Sequence, residues 1–186
     1  MSRIVFETAS TLNGFIADEE NSLAWLFEVD ADQVPAVAPT ATVMVEGSTT
    51  YEWVLDHEHL LEQPHKWAEL FGDKPTFVFT SRTLPVPTGA DVRFVQGSLT
   101  DALPAIREAA GDGDIWIVGG GELAAQFLDA GALDQISISF APAALVAGAP
   151  LFPRLLGSDR LRLKSANAVG QFAHVVYDVV PHASTE

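Results

Sequence analysis

The chain has no cysteine. That excludes thiol nucleophiles, thiolate-bound zinc and iron–sulfur clusters, and it makes a reducing, cytoplasmic setting the expectation. Basic residues are scarce as well. Ten Lys and Arg stand against 25 Asp and Glu, for a formal charge of −15, and none of the ten falls between Arg3 and Lys66. Nucleic acid and anionic membrane surfaces select basic patches, so neither is an expected partner. A bound phosphate would have to find its cation among Lys74, Arg82, Arg93, Arg107 or the group from Arg154 to Lys164. Apolar runs break well short of the ~20 residues a membrane helix needs. The opening MSRIVFETAS passes straight into a strand pattern, so no secretion signal is expected. There is no G-x-S-x-G elbow for a serine hydrolase. In DHEHLLEQPH, His57 and His59 would lie about 200° apart around a helix, a poor pair for one ion, and no metal site is expected.

What is present is a regular alternation. RIVFETAS, ATVMVEG, PTFVFTS, VRFVQ and DIWIVGG read as strands, and TTYEWVLDHEHLLE and LTDALPAIREAA as helices between them. Crossovers of this kind imply a largely parallel sheet. Ser98 or Thr100 can cap the second helix, and Pro104 is expected in its first turn. Past residue 131 the pattern changes: LDQISISFAP, RLRLKSANAVG and FAHVVYDVV follow one another without helices, so the C-terminal strands should be antiparallel. The length suits one domain over residues 1–180, burying about 70% of its unfolded surface, with a flexible tail at 181–186.

The stretch IWIVGGGELA joins a strand to a helix through three glycines. Glycine admits close approach of a ligand to the backbone, and a helix N-terminus favours anions. Gly119, Gly121 and Ala124 fit the G-x-G-x-x-G/A spacing of dinucleotide-binding turns, and a plain structural turn fits it equally. An ordinary Rossmann domain carries that turn in its first strand–helix unit, with an acid about twenty residues later. Here the glycines come in the last third, and no Asp or Glu lies between Gln135 and Gly157. A standard Rossmann dehydrogenase is therefore not expected.

Three segments, ETASTLNGFIAD, VMVEGSTTYEWV and IWIVGGGELAAQFLDAGALDQISISFAPAALVAGAPLFP, together resemble the dihydrofolate reductase superfamily. The likeness is to its bacterial branch related to the C-terminal reductase domain of the riboflavin-biosynthesis deaminase-reductase. The resemblance implies a dihydrofolate reductase-like three-layer α/β/α fold, with a mostly parallel central sheet and antiparallel C-terminal strands. It implies NADPH as cofactor, with NADH possible, and a small-molecule substrate reduced by hydride transfer. The cofactor would lie along Gly47, Ser48, Thr49 and Thr50 of the second motif and Val118, Gly119, Gly120, Gly121, Glu122 and Leu123 of the third. Thr80, Ser81 and Arg82 would surround the adenosine end. A homodimer paired through the C-terminal strands is the expected assembly.

The chain departs from the family pattern at Ala24, where an acid commonly precedes the Trp, and at Glu46 and Ser48, where an apolar and a basic residue flank the glycine. Asn13 and Phe15 stand where riboflavin enzymes show Asp and Lys. Folate reduction is therefore expected to be absent or very slow, and a non-catalytic ligand-binding or dimeric scaffold is the alternative to a reductase. Asn13, Phe15, Trp25 and Trp53 are the substrate-binding candidates, as a flat, dry pocket suits a heteroaromatic ring. The proton-donor candidates are Glu7, Asp18 and Glu28, with Asp30 beyond them.

Overall fold

The computed structural model describes residues 2–29 and 40–181; Asp30 and the tail residues 182–186 lie outside them. Among the described residues, ten strands and five α-helices follow in the order β1 (Ile4–Thr11), β2 (Phe15–Ala17), α1 (Ala24–Phe27), β3 (Ala41–Gly47), α2 (Ser48–His57), α3 (His65–Phe71), β4 (Thr76–Phe79), β5 (Val92–Val95), α4 (Leu99–Ala110), β6 (Asp114–Gly119), α5 (Gly121–Asp129), β7 (Gln135–Ala141), β8 (Ala149–Pro150), β9 (Leu161–Val169) and β10 (Phe172–Val179). Eight strands form one sheet in the order β5-β4-β3-β6-β1-β7-β10-β9, and β2 pairs with β8 in a separate ribbon. From β5 to β7 neighbours run parallel; β10 is antiparallel to β7 and to β9. No helix among the described residues is long and apolar enough to cross a membrane.

Alternation along the strands divides the core in two. Ile4, Phe6, Val43, Val45, Ile115, Ile117, Ile136 and Ile138 point to one face, against Leu99 and Ile106 of α4 and Leu123 and Phe127 of α5. On the opposite face Val78 packs with Tyr51 and Leu55 of α2 and Trp67 of α3. Helices on both faces of a mostly parallel sheet give the three-layer arrangement that the family resemblance implies. A third, smaller cluster joins Trp25 of α1 to Ala141 and Phe172, with Ala9 against it.

Several local expectations change. The helix read over TTYEWVLDHEHLLE stops at His57, because His59 takes a left-handed conformation (φ 54°). Ser98 caps α4 by accepting from the Asp101 N–H, but Pro104 sits in the second turn rather than the first. There it removes one helical hydrogen bond on an exposed side. The β2–β8 ribbon, the short α1 and the separate α3 have too few residues to show periodicity.

Candidate active site

β3 hands the chain to α2 and α3 on one face of the sheet, whereas β6 hands it to α5 on the other. Adjacent parallel strands whose helices leave in opposite directions open a crevice beyond their carboxyl ends, the usual ligand position in such sheets. Glycines occupy both strand ends here. Glu46 is in register with Gly119, and a Cβ on Gly47 would come within 3.9 Å of the Gly119 carbonyl oxygen. A Cβ on Gly119 would stand 3.0 Å from Thr50 Oγ1, so the hydroxyl of α2 borders the space that the missing side chain leaves.

The caps of both helices suit an anion. Gly47 and Gly120 are the N-cap residues, both extended, and neither provides a side chain to the first-turn N–H groups. Ser48, Thr49 and Thr50 lie inside the first turn of α2, so Thr49 and Thr50 are not its caps. The glycine turn runs through a cis Gly119–Gly120 peptide. Gly121 has a different task from its neighbours: a Cβ there would lie 2.3 Å from the Leu151 carbonyl oxygen, so this glycine lets α5 rest on the 150–151 backbone. The Leu123 side chain is buried in the core, and Val118 is half-buried just before the glycines. At Leu123 only the backbone could face a ligand at the turn.

The cations are already engaged. Arg82 grips Glu52 of α2 through both terminal nitrogens, at 3.0 and 2.5 Å, and its own N–H bonds to Thr80 Oγ1, with Ser81 exposed between them. Arg93 pairs with Asp91, and Lys74 Nζ donates to the Phe71 carbonyl. Glu122, at the start of α5, is bonded to Arg154, which holds its carboxyl below the usual range. Glu46, which precedes Gly47 on β3, is 1% exposed, and its Oε2 has no hydrogen-bond partner among the described residues. Burial pushes its carboxyl from an ordinary 4.5 up to about 8. Desolvation and, after it, the proximity of Glu46 push the Tyr51 hydroxyl up as well; that hydroxyl donates to the Pro85 carbonyl.

The substrate-side candidates divide. Asn13 is spent on the loop: its Oδ1 accepts from the Leu145 N–H and its Nδ2 donates to the Leu145 carbonyl. Phe15 belongs to the β2–β8 ribbon, and its neighbour Ile16 reaches towards Gly120. Asp18 closes its own loop by accepting from the N–H groups of Glu20 and Ser22. Trp53 stacks with His57 and Phe27, centroids 4.4 and 6.1 Å away, which ties α1 to α2. Trp25 is buried, and its Nε1 has no partner among the described residues. Glu28 is exposed at the end of α1. Glu7 is half-buried on β1, and the Trp116 indole donates to its carbonyl. Among the described residues no group of three or more His, Asp or Glu could hold a metal ion.

The profile of the RibD C-terminal domain matches residues 30–175. The chain belongs to this family. It is 28% identical over 185 residues to the uncharacterized protein YwjB of Bacillus subtilis (strain 168), covering 94% of this chain and 97% of that one. The crystal structure of a putative riboflavin biosynthesis protein from Shewanella sp. PV-4 superposes with a TM-score of 0.74 at 27% identity, over 97% of this chain and 99% of the other. Dihydrofolate reductase from Enterococcus faecalis, solved in complex with NADP(H), shares the fold at a TM-score of 0.57 and 17% identity, over 95% and 96% of the two chains. The RibD C-terminal relatives and the sheet order agree on a dihydrofolate reductase-like fold of reductase type.

Reading the sequence missed a polar group on β7 and β10. Ser137 and Ser139 flank the ring of His174, at 3.4 Å from Nε2 and 3.0 Å from Nδ1. The signal was available in QISIS, whose alternation puts serines on one face of a strand that the sheet buries. Each ring nitrogen faces a serine hydroxyl, an arrangement unlike the serine–histidine–carboxylate order of a hydrolase triad.

Proposed function

We propose that the chain is a reductase that uses NADPH or NADH to deliver hydride to a small heterocyclic or carbonyl substrate. The observation that carries this reading is the crevice between β3 and β6, where Gly47 and Gly119 leave room and the N-termini of α2 and α5 converge. A diphosphate fits that donor set: first-turn N–H groups of both helices, with the Thr49 and Thr50 hydroxyls beside them. Ser48 and Gly120 would contribute backbone N–H donors, and Thr80 and Ser81 would border the adenosine end. A bound nicotinamide supplies the hydride. The chain's own part is to hold the dinucleotide without a dedicated cation and to present a substrate to it from the β1 side. Titration of the purified protein with NADPH and with NADH, followed by cofactor fluorescence, tests the reading; saturable binding of either is expected, and binding of neither would overturn it.

One observation favours a second reading, a non-catalytic ligand-binding or dimeric member of the family. Arg82, the best-placed cation for a 2′-phosphate, is held by Glu52, and Glu46 adds a buried acid one residue before Gly47. Binding of a nicotinamide nucleotide without oxidation of NAD(P)H by any carbonyl or heterocyclic acceptor would support it. On either reading the assembly proposed is a homodimer.

A further inference from the structure

Two carboxyl groups are buried among the described residues, Asp114 and Glu46. Asp114 is compensated: Arg3 and Thr40 donate to it and hold it below the usual carboxylate range. Glu46 is not. Its Oε2 meets no hydrogen-bond partner among the described residues, and burial, with no cation to offset it, pushes the group up to about 8. A buried carboxyl in this state costs stability, and no contact of the fold offsets that cost.

Glu46 stands next to the proposed anion site. It precedes Gly47, the N-cap of α2, and pairs with Gly119, one residue before the N-cap of α5. The register slips between Val45 and Glu46: Val45 pairs with Ile117 and Glu46 with Gly119, and the extra residue brings the glycine turn level with the acid. Strand spacing and side-chain reach put the carboxyl within about 10 Å of both glycine Cα atoms. Alternation turns it away from Val43 and Val45, which face α4 and α5, towards the face where Tyr51 and Val78 pack.

The titratable groups around it are committed or remote. β4, on one side, carries no charged residue, and β6, on the other, only Asp114 at its opposite end. α2 presents Tyr51, whose hydroxyl donates to the Pro85 carbonyl, and Glu52, which holds Arg82; its Asp56 and His57 are exposed at the far end. On α3, His65 and Glu69 are exposed and Lys66 Nζ donates to the Glu58 carbonyl. Across the sheet, Asp101 and Glu108 of α4 are exposed, Arg107 donates to the Ser2 carbonyl, and Glu122 and Asp129 of α5 are bonded to Arg154. A negative charge on Glu46 would have no local cation to neutralise it. A diphosphate at the two helix N-termini would meet that charge through the protein interior, where screening by salt is weak.

We propose that Glu46 is a proton-linked positioning residue for the cofactor: protonated, it leaves the β3–β6 crevice open to a dinucleotide diphosphate, and ionised, it repels one. That the diphosphate belongs to a nicotinamide cofactor rests on the reductase reading. By linkage, a bound diphosphate holds the proton on Glu46 more tightly. Binding therefore takes up protons where the free protein has released them, and affinity falls as pH rises through about 8.

The test is calorimetric titration of the intact chain with NADH and with ADP-ribose, whose diphosphates keep the same charge near pH 7 and near pH 9. Both ligands should bind about five- to tenfold more weakly at the higher pH. Two buffers of different ionisation enthalpy should show proton uptake there. Glu46→Gln, which keeps the shape of the neutral acid, should lose both the pH dependence and the proton uptake; Glu46→Met, which removes the polar group, should do the same. The same weakening in both variants as in the parent, or none in the parent, would overturn the proposal and leave the reductase reading standing. Binding of ADP-ribose with the expected pH dependence, but of neither NADH nor NADPH, would sink the reductase reading and leave the proposal standing. Binding of none of the three at either pH would overturn both.

Discussion

At Glu46 a carboxyl group occupies a strand position between Val45 and Gly47, in register with Val78 and Gly119, and burial pushes it up to about 8. Unfolded, the same group ionises near 4.5. The folded form keeps its proton where the unfolded chain has released it, so stability is full below pH 4.5, falls as pH rises, and levels off beyond about pH 8. Glu46→Met should remove this penalty and stabilise the protein by about 3 kcal/mol near neutral pH, with little gain below pH 4.5. Denaturant midpoints at the two pH values check it; equal gains at both would assign the effect to packing. Arg82 presents the opposite case, an exposed charge whose partner masks it. Such pairs contribute under about 1 kcal/mol to stability. Glu52→Gln should therefore leave the melting temperature nearly unchanged while releasing the guanidinium. In a cofactor titration it should raise the preference for NADPH over NADH by about tenfold at low salt, and added salt should erode the gain.

At the scale of one element, the start of α5 separates two glycines that look equivalent in GGGEL. A Cβ on Gly120 would meet only Ile16 Cδ1, at 3.7 Å, and the residue's extended φ of −90° suits alanine. A Cβ on Gly121 would run into the Leu151 and Pro150 carbonyl oxygens, both part of backbone that cannot yield cheaply. Gly121→Ala should thus cost about 1–3 kcal/mol of stability through overpacking, read as a lowered melting temperature. Gly120→Ala should melt like the parent chain and weaken NADPH and NADH alike. If Gly120→Ala leaves both affinities unchanged, the turn serves only to join β6 to α5.

For the molecule as a whole, β9 is the outer strand of the sheet, and its Leu163 is 56% exposed. An open strand edge of this kind invites pairing, and we expect a dimer mass in light scattering at micromolar concentration; a monomer would remove the homodimer from both functional readings. The parallel half of the sheet, the antiparallel C-terminal strands, the glycine turn and the lack of cations between Arg3 and Lys66 were all legible in the sequence. Each depends on local spacing or composition, and alternation, helical periodicity and residue counts survive without knowledge of the fold. The partners of single side chains were not legible. Asn13 looked available until the loop brought it to Leu145, 132 residues away, and Arg82 until α2 brought Glu52 beside it, 30 residues away. Ser137, Ser139 and His174 became one group only when β10 folded back antiparallel on β7. Composition and periodicity determined which elements this chain forms; strand order and register, set by how those elements share a core, decided which polar groups are spent on the fold and which remain for a ligand.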